Sequence, residues 1–487
     1  MTRSIALALL AAASLSACTR LTPEQQIVAE AATALGGRDA VLAAKTLVIE
    51  GGGTQYNLGQ DVVPGASGQT FTVTGYRRAT DLAAGRTRVS LTRKPNFTFF
   101  QGPAAQAQVQ GIDGAVGYNV APSGTATRVP DAAAADRRAE FFQHPLLAVR
   151  AALDPMAALA NPRTEGGQSV VDVTAGGQTF TLAVDATTKL PSRVTTTRYN
   201  VNLGDVALST AFSGYQAVGA LQLPTSLVTK TDDFTIAEVK VTTQAVDGDT
   251  GDLAAPAAAA SAPAVGAPPP PMVTVQELAK GIWMLGGGSH HSYLVEFMDH
   301  LMLVEAPQNE ARALAVIAKA RETRPGKPLT QLVNSHHHFD HTGGVRAAIA
   351  EGLAVITHQG NVALFQEVAA RAHTVVPDAL AKSPKALSIE GVSDRKTIAD
   401  GTMTVDLYPV TGAHSETMLV MHFPKERILI EADVYTPGGA VQMFAGGFFE
   451  EVKKRNLQID RIAPLHGAPA PYAQFVKEAA APVPATN

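Results

Sequence analysis

The chain has 487 residues, 46% hydrophobic and 17% charged, so it carries enough apolar material for more than one packed core. Its formal net charge is −4 and no stretch concentrates lysine and arginine, which excludes the basic surface that nucleic-acid binding requires. Cys18 is the only cysteine, so no disulfide forms within the chain.

Residues 1–17 set Arg3 ahead of a short apolar run, 5–13, and end in Leu15-Ser16-Ala17. That run is too short to span a bilayer as a helix and reads as a signal peptide. Residues 23–43 read as helical with a break at Gly36-Gly37. Period-two alternation over 70–74 and 87–92 predicts half-buried strands. A helical stretch over 132–153, interrupted at Pro145, is followed by strand texture over 170–246. The order predicts an α+β domain over 18–250, a curved antiparallel sheet with one or two helices on its concave face. Its single histidine, His144, reads as structural. Residues 251–271, rich in alanine and proline, predict a linker.

From 272 to 487 strands and helices alternate. Residues 273–282 and 293–304 read as strands around a glycine-rich turn holding His290 and His291. Residues 310–321 read as a helix capped by Asn309, and 329–333 as a buried strand. That strand runs into His336-x-His338-x-Asp340-His341, four metal-competent side chains in six positions. On extended backbone His336 and His338 point the same way, and His337 the other. Thr342-Gly343-Gly344 then lets the chain turn tightly into a helix. Three more candidates each follow a strand: His414 after 405–410, Asp433 after 428–430, and His466 after Ile462. Five histidines and two aspartates make a two-metal set. Tyr435, two residues past Asp433, is a candidate for donating to an oxyanion. His300, His358, His373 and His422 have no such spacing and read as structural.

Three resemblances follow from these residues. Leu15-Ser16-Ala17-Cys18 resembles the bacterial lipobox, which implies acylation of Cys18, export, and a lipid anchor on the periplasmic face of the outer membrane. The 18–250 domain is similar, in its order of elements, to the lipoprotein-carrier-like fold. His336-x-His338-x-Asp340-His341, then Gly412-Ala413-His414-Ser415, Asp433 and His466-Gly467 resemble the metallo-β-lactamase superfamily. This implies an αβ/βα sandwich over 272–487 with two divalent metal ions, zinc foremost and iron or manganese as alternatives. By the same resemblance His336, His338 and His414 hold the first ion, Asp340, His341 and His466 the second, and Asp433 bridges. The implied reaction is hydrolysis of a small-molecule ester, thioester, lactone or amide by a metal-bound hydroxide that Asp340 orients. A sole cysteine at 18 departs from the β-lactamases with a cysteine ligand, and Asp433 departs from the cysteine-free ones. The run from Ser335 to His341 is closest to the glyoxalase II version, without that enzyme's helical glutathione-binding domain after His466. Two alternatives stand beside this reading. One is a mononuclear-iron persulfide dioxygenase on the same scaffold. The other is a lipoprotein that binds a lipid or other hydrophobic ligand and carries a structural metal domain.

Overall fold

The structure is a computed structural model that describes residues 20–66, 68–97, 102–266, 268–439 and 444–480. The expected signal peptide and Cys18 lie outside them. Among the described residues no helix is long and apolar enough to cross a membrane.

In the N-terminal half, thirteen strands form one antiparallel sheet among the described residues. Its first strand, Thr46–Tyr56, pairs with its last, Phe234–Val246, near the middle of the sheet. One meander runs from that seam to Ala126–Arg128 and the other to Ala158–Glu165. Register shifts at Glu50/Gly51 and Gly51/Gly53 bend the central strand, since a bulged residue increases local twist. Helix Pro23–Ala34 begins in a capping box at Thr22 and Gln25. It packs with helix Pro145–Ala152 on the sheet, burying Val28, Leu146 and Val149 against Leu47, Val171 and Leu182. The helical stretch around 132–153 divides at Pro145 into Asp131–Phe141 and Pro145–Ala152. His144 caps the second of these helices, its Nδ1 accepting from Leu146 N at 3.3 Å, and is fully buried.

The first part of the alanine- and proline-rich stretch lies packed on the sheet. Leu253 and Ala259 are buried, Ala255 N donates to Asp113 at 3.0 Å, and Arg128 donates to the Ala262 carbonyl at 3.0 Å. Alanine loses little side-chain entropy on ordering, and these sheet side chains satisfy part of the backbone.

The C-terminal half is an αβ/βα sandwich. A seven-stranded sheet runs from Thr274–Ala279 to Ile389–Val392 in chain order, and a six-stranded sheet from Lys396–Ala399 to Ala470–Pro471. Their facing sides share one core, including Tyr293, Val304, Leu407, Met421 and Ile430. Helices Glu310–Thr323 and Val345–Ala350 cover the outer face of the first sheet. Helices Ala445–Lys454 and Tyr472–Ala479 add Phe448 and Phe475 to the shared core. Two expected strands are each broken in two. Residues 273–282 form a hairpin, Thr274–Ala279 and Ile282–Gly286, turning at Gly281 with φ +85°. Residues 293–304 turn where Phe297 N donates to the His300 carbonyl at 2.9 Å, between Ser292–Glu296 and Leu301–Val304.

Candidate metal centre

Parallel pairing brings the candidate residues to one edge of the sandwich. Ile428–Glu431 runs parallel to Arg461–Pro464 with Glu431 opposite Pro464, so Asp433 and His466 each emerge two residues past a paired position. Val304 lies opposite Val333 in the other sheet, so Glu305 and Asn334 emerge together. The histidine run leaves strand Leu329–Val333, and Asp340 and His341 sit in the short helix Phe339–Thr342. Gly343 and Gly344 have ordinary negative φ, −61° and −106°, so close packing rather than turn geometry requires them. A Cβ at Gly343 would lie 2.1 Å from the Gln308 carbonyl oxygen, and one at Gly344 2.3 Å from Ala313 Cβ.

All seven predicted residues meet here, in two groups whose donor atoms lie within 4.8 Å of one another. The first contains His336, His338, His414 and Asp433, and the second Asp340, His341, His466 and His290. Asp433 joins them, its carboxylate 3.0 Å from His414 Nε2, 3.1 Å from His341 Nε2 and 2.6 Å from His466 Nε2. It sits at φ +63°, a left-handed backbone that an aspartate tolerates better than most residues.

Several imidazoles are gripped by their outer nitrogen, leaving the other directed inward. His336 Nδ1 meets Ser335 Oγ at 3.0 Å, His341 Nδ1 meets Glu305 Oε2 at 3.4 Å, and His466 Nδ1 meets the Ser289 carbonyl at 2.8 Å. His338 reverses the pattern, with Nε2 2.8 Å from the Asp61 carbonyl and a buried Nδ1 that has no hydrogen-bond partner among the described residues. The inward nitrogens face one another: His336 Nε2 and His414 Nε2 are 3.2 Å apart, and His341 Nε2 and His466 Nε2 are 3.3 Å apart. Crowded lone pairs around shared carboxylates suit divalent cations, and hydrogen bonds to the outer nitrogens are the usual support of metal-binding histidines. The donor set therefore fits a pair of such ions.

His337 points away, as alternation requires, its Nδ1 3.1 Å from Thr417 Oγ1. Tyr435 is buried and donates to Glu478 at 2.7 Å, so its hydroxyl is engaged away from the site. Sequence reasoning passed over Glu305 and undervalued His290. Glu305 accepts from Asn334 Nδ2 at 2.7 Å and Ser335 Oγ at 2.5 Å as well as facing His341. Its signal was a carboxylate directly after the apolar strand Leu301–Val304. His290 Nδ1 lies 2.8 Å from Ser289 Oγ, and its Nε2 lies 3.1 Å from Asp340 Oδ2.

The electrostatics divide the histidines. Burial pulls His336 down to about 3 and His337 down to about 4. His341 is opposed by burial, but the charge of Asp433 and hydrogen bonds that its ring donates to Asp433 and Glu305 hold it well above its usual value. Burial likewise works against ionisation of Asp340, yet His290 and His341 keep its carboxyl well below the usual range. In metal-free protein, His336 and His337 contribute stability that is present above the unfolded value of 6.5 and lost as pH falls toward 4 and 3. His341 has the opposite sign, its contribution being present below 6.5 and lost as pH rises through its raised folded value. Denaturant unfolding of metal-free protein should therefore show stability falling from pH 6.5 to 4. An unchanged midpoint across that window would contradict the burial argument.

Residues 285–442 match the family model of the metallo-beta-lactamase superfamily. None of the curated proteins matches the chain significantly. Solved structures similar to it include a metallo-beta-lactamase from Pontibacter korlensis, at 16% identity and TM-score 0.33, covering 42% of this chain and 96% of that one. Another is a metallo-beta-lactamase from Hirschia baltica, at 19% identity and TM-score 0.33, with the same two coverages, 42% and 96%. A third, an inverting sec-alkylsulfatase from Pseudomonas sp., has 16% identity and TM-score 0.33, covering 43% of this chain and 41% of that one. With its matched segment holding the histidine run, His414 and Asp433 on one sandwich edge, the C-terminal unit of this chain belongs to the metallo-beta-lactamase superfamily.

Proposed function

We propose that the chain is a two-metal hydrolase acting on the carbonyl of a small ester, thioester, lactone or amide. The observation that carries this reading is the pair of donor groups joined through Asp433. In it His336, His338 and His414 would hold one ion and Asp340, His341 and His466 the other, with the Asp433 carboxylate within reach of both groups. When bound, such ions generate a nucleophile from water at neutral pH and polarise the bond under attack. The side chains do the positioning. Asp340 is the most exposed of the set, and its carboxylate is fixed by His290 and by Gln60 Nε2 at 2.8 Å. From there it orients the attacking water by accepting a hydrogen bond. His336 and His338, fully buried, keep their side of the site dry, which strengthens every charge interaction there.

The test is a panel of lactones, thioesters, β-lactams and phosphodiesters offered to zinc-, manganese- and iron-loaded protein. Turnover of a carbonyl substrate that His338→Ala removes supports the reading. Turnover of phosphodiesters alone, or of nothing with any metal, would overturn it.

Export and lipid attachment are proposed on residues 1–18 alone. Labelled palmitate should enter the full chain in cells and be lost in Cys18→Ser. Equal labelling of both proteins would refute the anchor.

A further inference from the structure

The N-terminal sheet reaches into the metal centre through residues 59–62, just past strand Thr46–Tyr56. Four hydrogen bonds seat this segment. Phe339 N donates to the Gly59 carbonyl at 3.0 Å, and Glu416 N donates to the Val62 carbonyl at 2.8 Å. Gln60 Nε2 donates to Asp340 Oδ1 at 2.8 Å, and His338 Nε2 lies 2.8 Å from the Asp61 carbonyl. The segment thus touches both the histidine run and the loop that carries His414.

The contact to His338 has a chemical consequence. A carbonyl oxygen only accepts, so Nε2 must carry the imidazole proton. Nδ1 is then left with its lone pair, and it is buried without a hydrogen-bond partner among the described residues. Among the described residues, the Asp61 carbonyl is the acceptor for His338 Nε2. The other gripped histidines take their outer partners, Ser335, Glu305 and Ser289, from the C-terminal half. Gly59 shows how closely the segment is fitted. Its φ is +81°, and a Cβ there would lie 2.2 Å from the Phe339 ring.

We propose that residues 59–62 are a positioning element of the metal centre, the Asp61 carbonyl fixing the tautomer of His338 and the Gln60 carboxamide fixing Asp340. This rests on the reading of His338 and Asp340 as metal ligands, but the two can fail separately. The N-terminal half is then a supporting wall of the site as well as a neighbouring fold. Outer partners of this kind change metal affinity by about 10–100-fold when removed.

The full chain tests this through binding rather than turnover. Gly59→Leu collides with Phe339 and should lift the segment. Gly65→Leu, at φ +79° with nothing within 4 Å of its Cβ among the described residues, imposes similar backbone strain without the collision. Cobalt(II) affinity, measured by chelator competition, and the cobalt absorption spectrum are the readouts. The proposal expects Gly59→Leu to weaken one ion by about tenfold or more and alter its spectrum, with Gly65→Leu close to the unsubstituted protein. Equal effects in both variants, or none in either, would overturn it. If Gly59→Leu does not fold, Gln60→Ala decides. A weakened ion with an altered spectrum supports the proposal, and unchanged binding overturns it. Retention of both ions by His338→Ala would instead defeat the ligand assignment itself.

Discussion

Asp433→Asn is expected to remove hydrolysis, lowering kcat/KM on the order of 10³-fold. The Asp433 carboxylate is the one negative charge shared by both donor groups, within 3.4 Å of His336, 3.0 Å of His414, 3.1 Å of His341 and 2.6 Å of His466. An asparagine keeps the shape and tolerates φ +63°, so the substitution isolates charge from backbone strain. It also turns an amide donor toward nitrogens that must offer lone pairs. The metal-free protein should lose about 3 kcal/mol, because the raised, buried His341 loses its main counter-charge. Kinetics and denaturant unfolding of the same preparation check both. Full activity in Asp433→Asn would remove the bridging role.

The largest stability effect away from the site is expected at Asp378. Arg346 Nε meets Asp378 Oδ2 at 2.5 Å and Nη2 meets Oδ1 at 3.2 Å, with both residues buried. Arg346 also donates to the carbonyls of Val368 and Ala369, at 2.7 and 2.9 Å. Asp378→Ala would leave that guanidinium buried and without its counter-charge, a change that costs about 3–5 kcal/mol. The loss should reach the contact between the halves of the chain. The clamped segment carries Arg371, which donates to the Leu203 carbonyl and to Asp232, and Thr374 N, which meets Asp205 at 2.8 Å. Equilibrium unfolding measures it, and a loss under about 1 kcal/mol would show that the pair is compensated.

The grouping of the seven candidate residues was legible because the histidine run, His414, Asp433 and His466 each lie in a loop or turn that follows an apolar strand, and because metal-competent side chains rarely crowd as they do from His336 to His341. Local pattern also gave the division at Pro145, the Asn309 cap, which accepts from Arg312 N at 3.0 Å, and the buried strand Leu329–Val333. What it could not give depends on distance in space. Glu305 reaches His341 only because two parallel strands end in register, and no spacing rule connects positions 305 and 341. Gln60 and Asp61 approach the site from about 280 residues away, and the contact at Asp61 uses a backbone carbonyl, which no side-chain motif records. His290 stands on a glycine-rich turn 50 residues before Asp340, and only the fold brings the two side chains together. The hairpin at Lys280-Gly281 was obscured by an apolar run continuing on both sides of one glycine.

Metal content per chain tests the central claim most directly, measured on full-length protein as isolated and again on His338→Ala. The account predicts two divalent ions per unsubstituted chain and loss of at least one in the variant, in parallel with loss of hydrolysis. A single iron per chain with oxygen consumption, or both ions retained after His338→Ala, would contradict it.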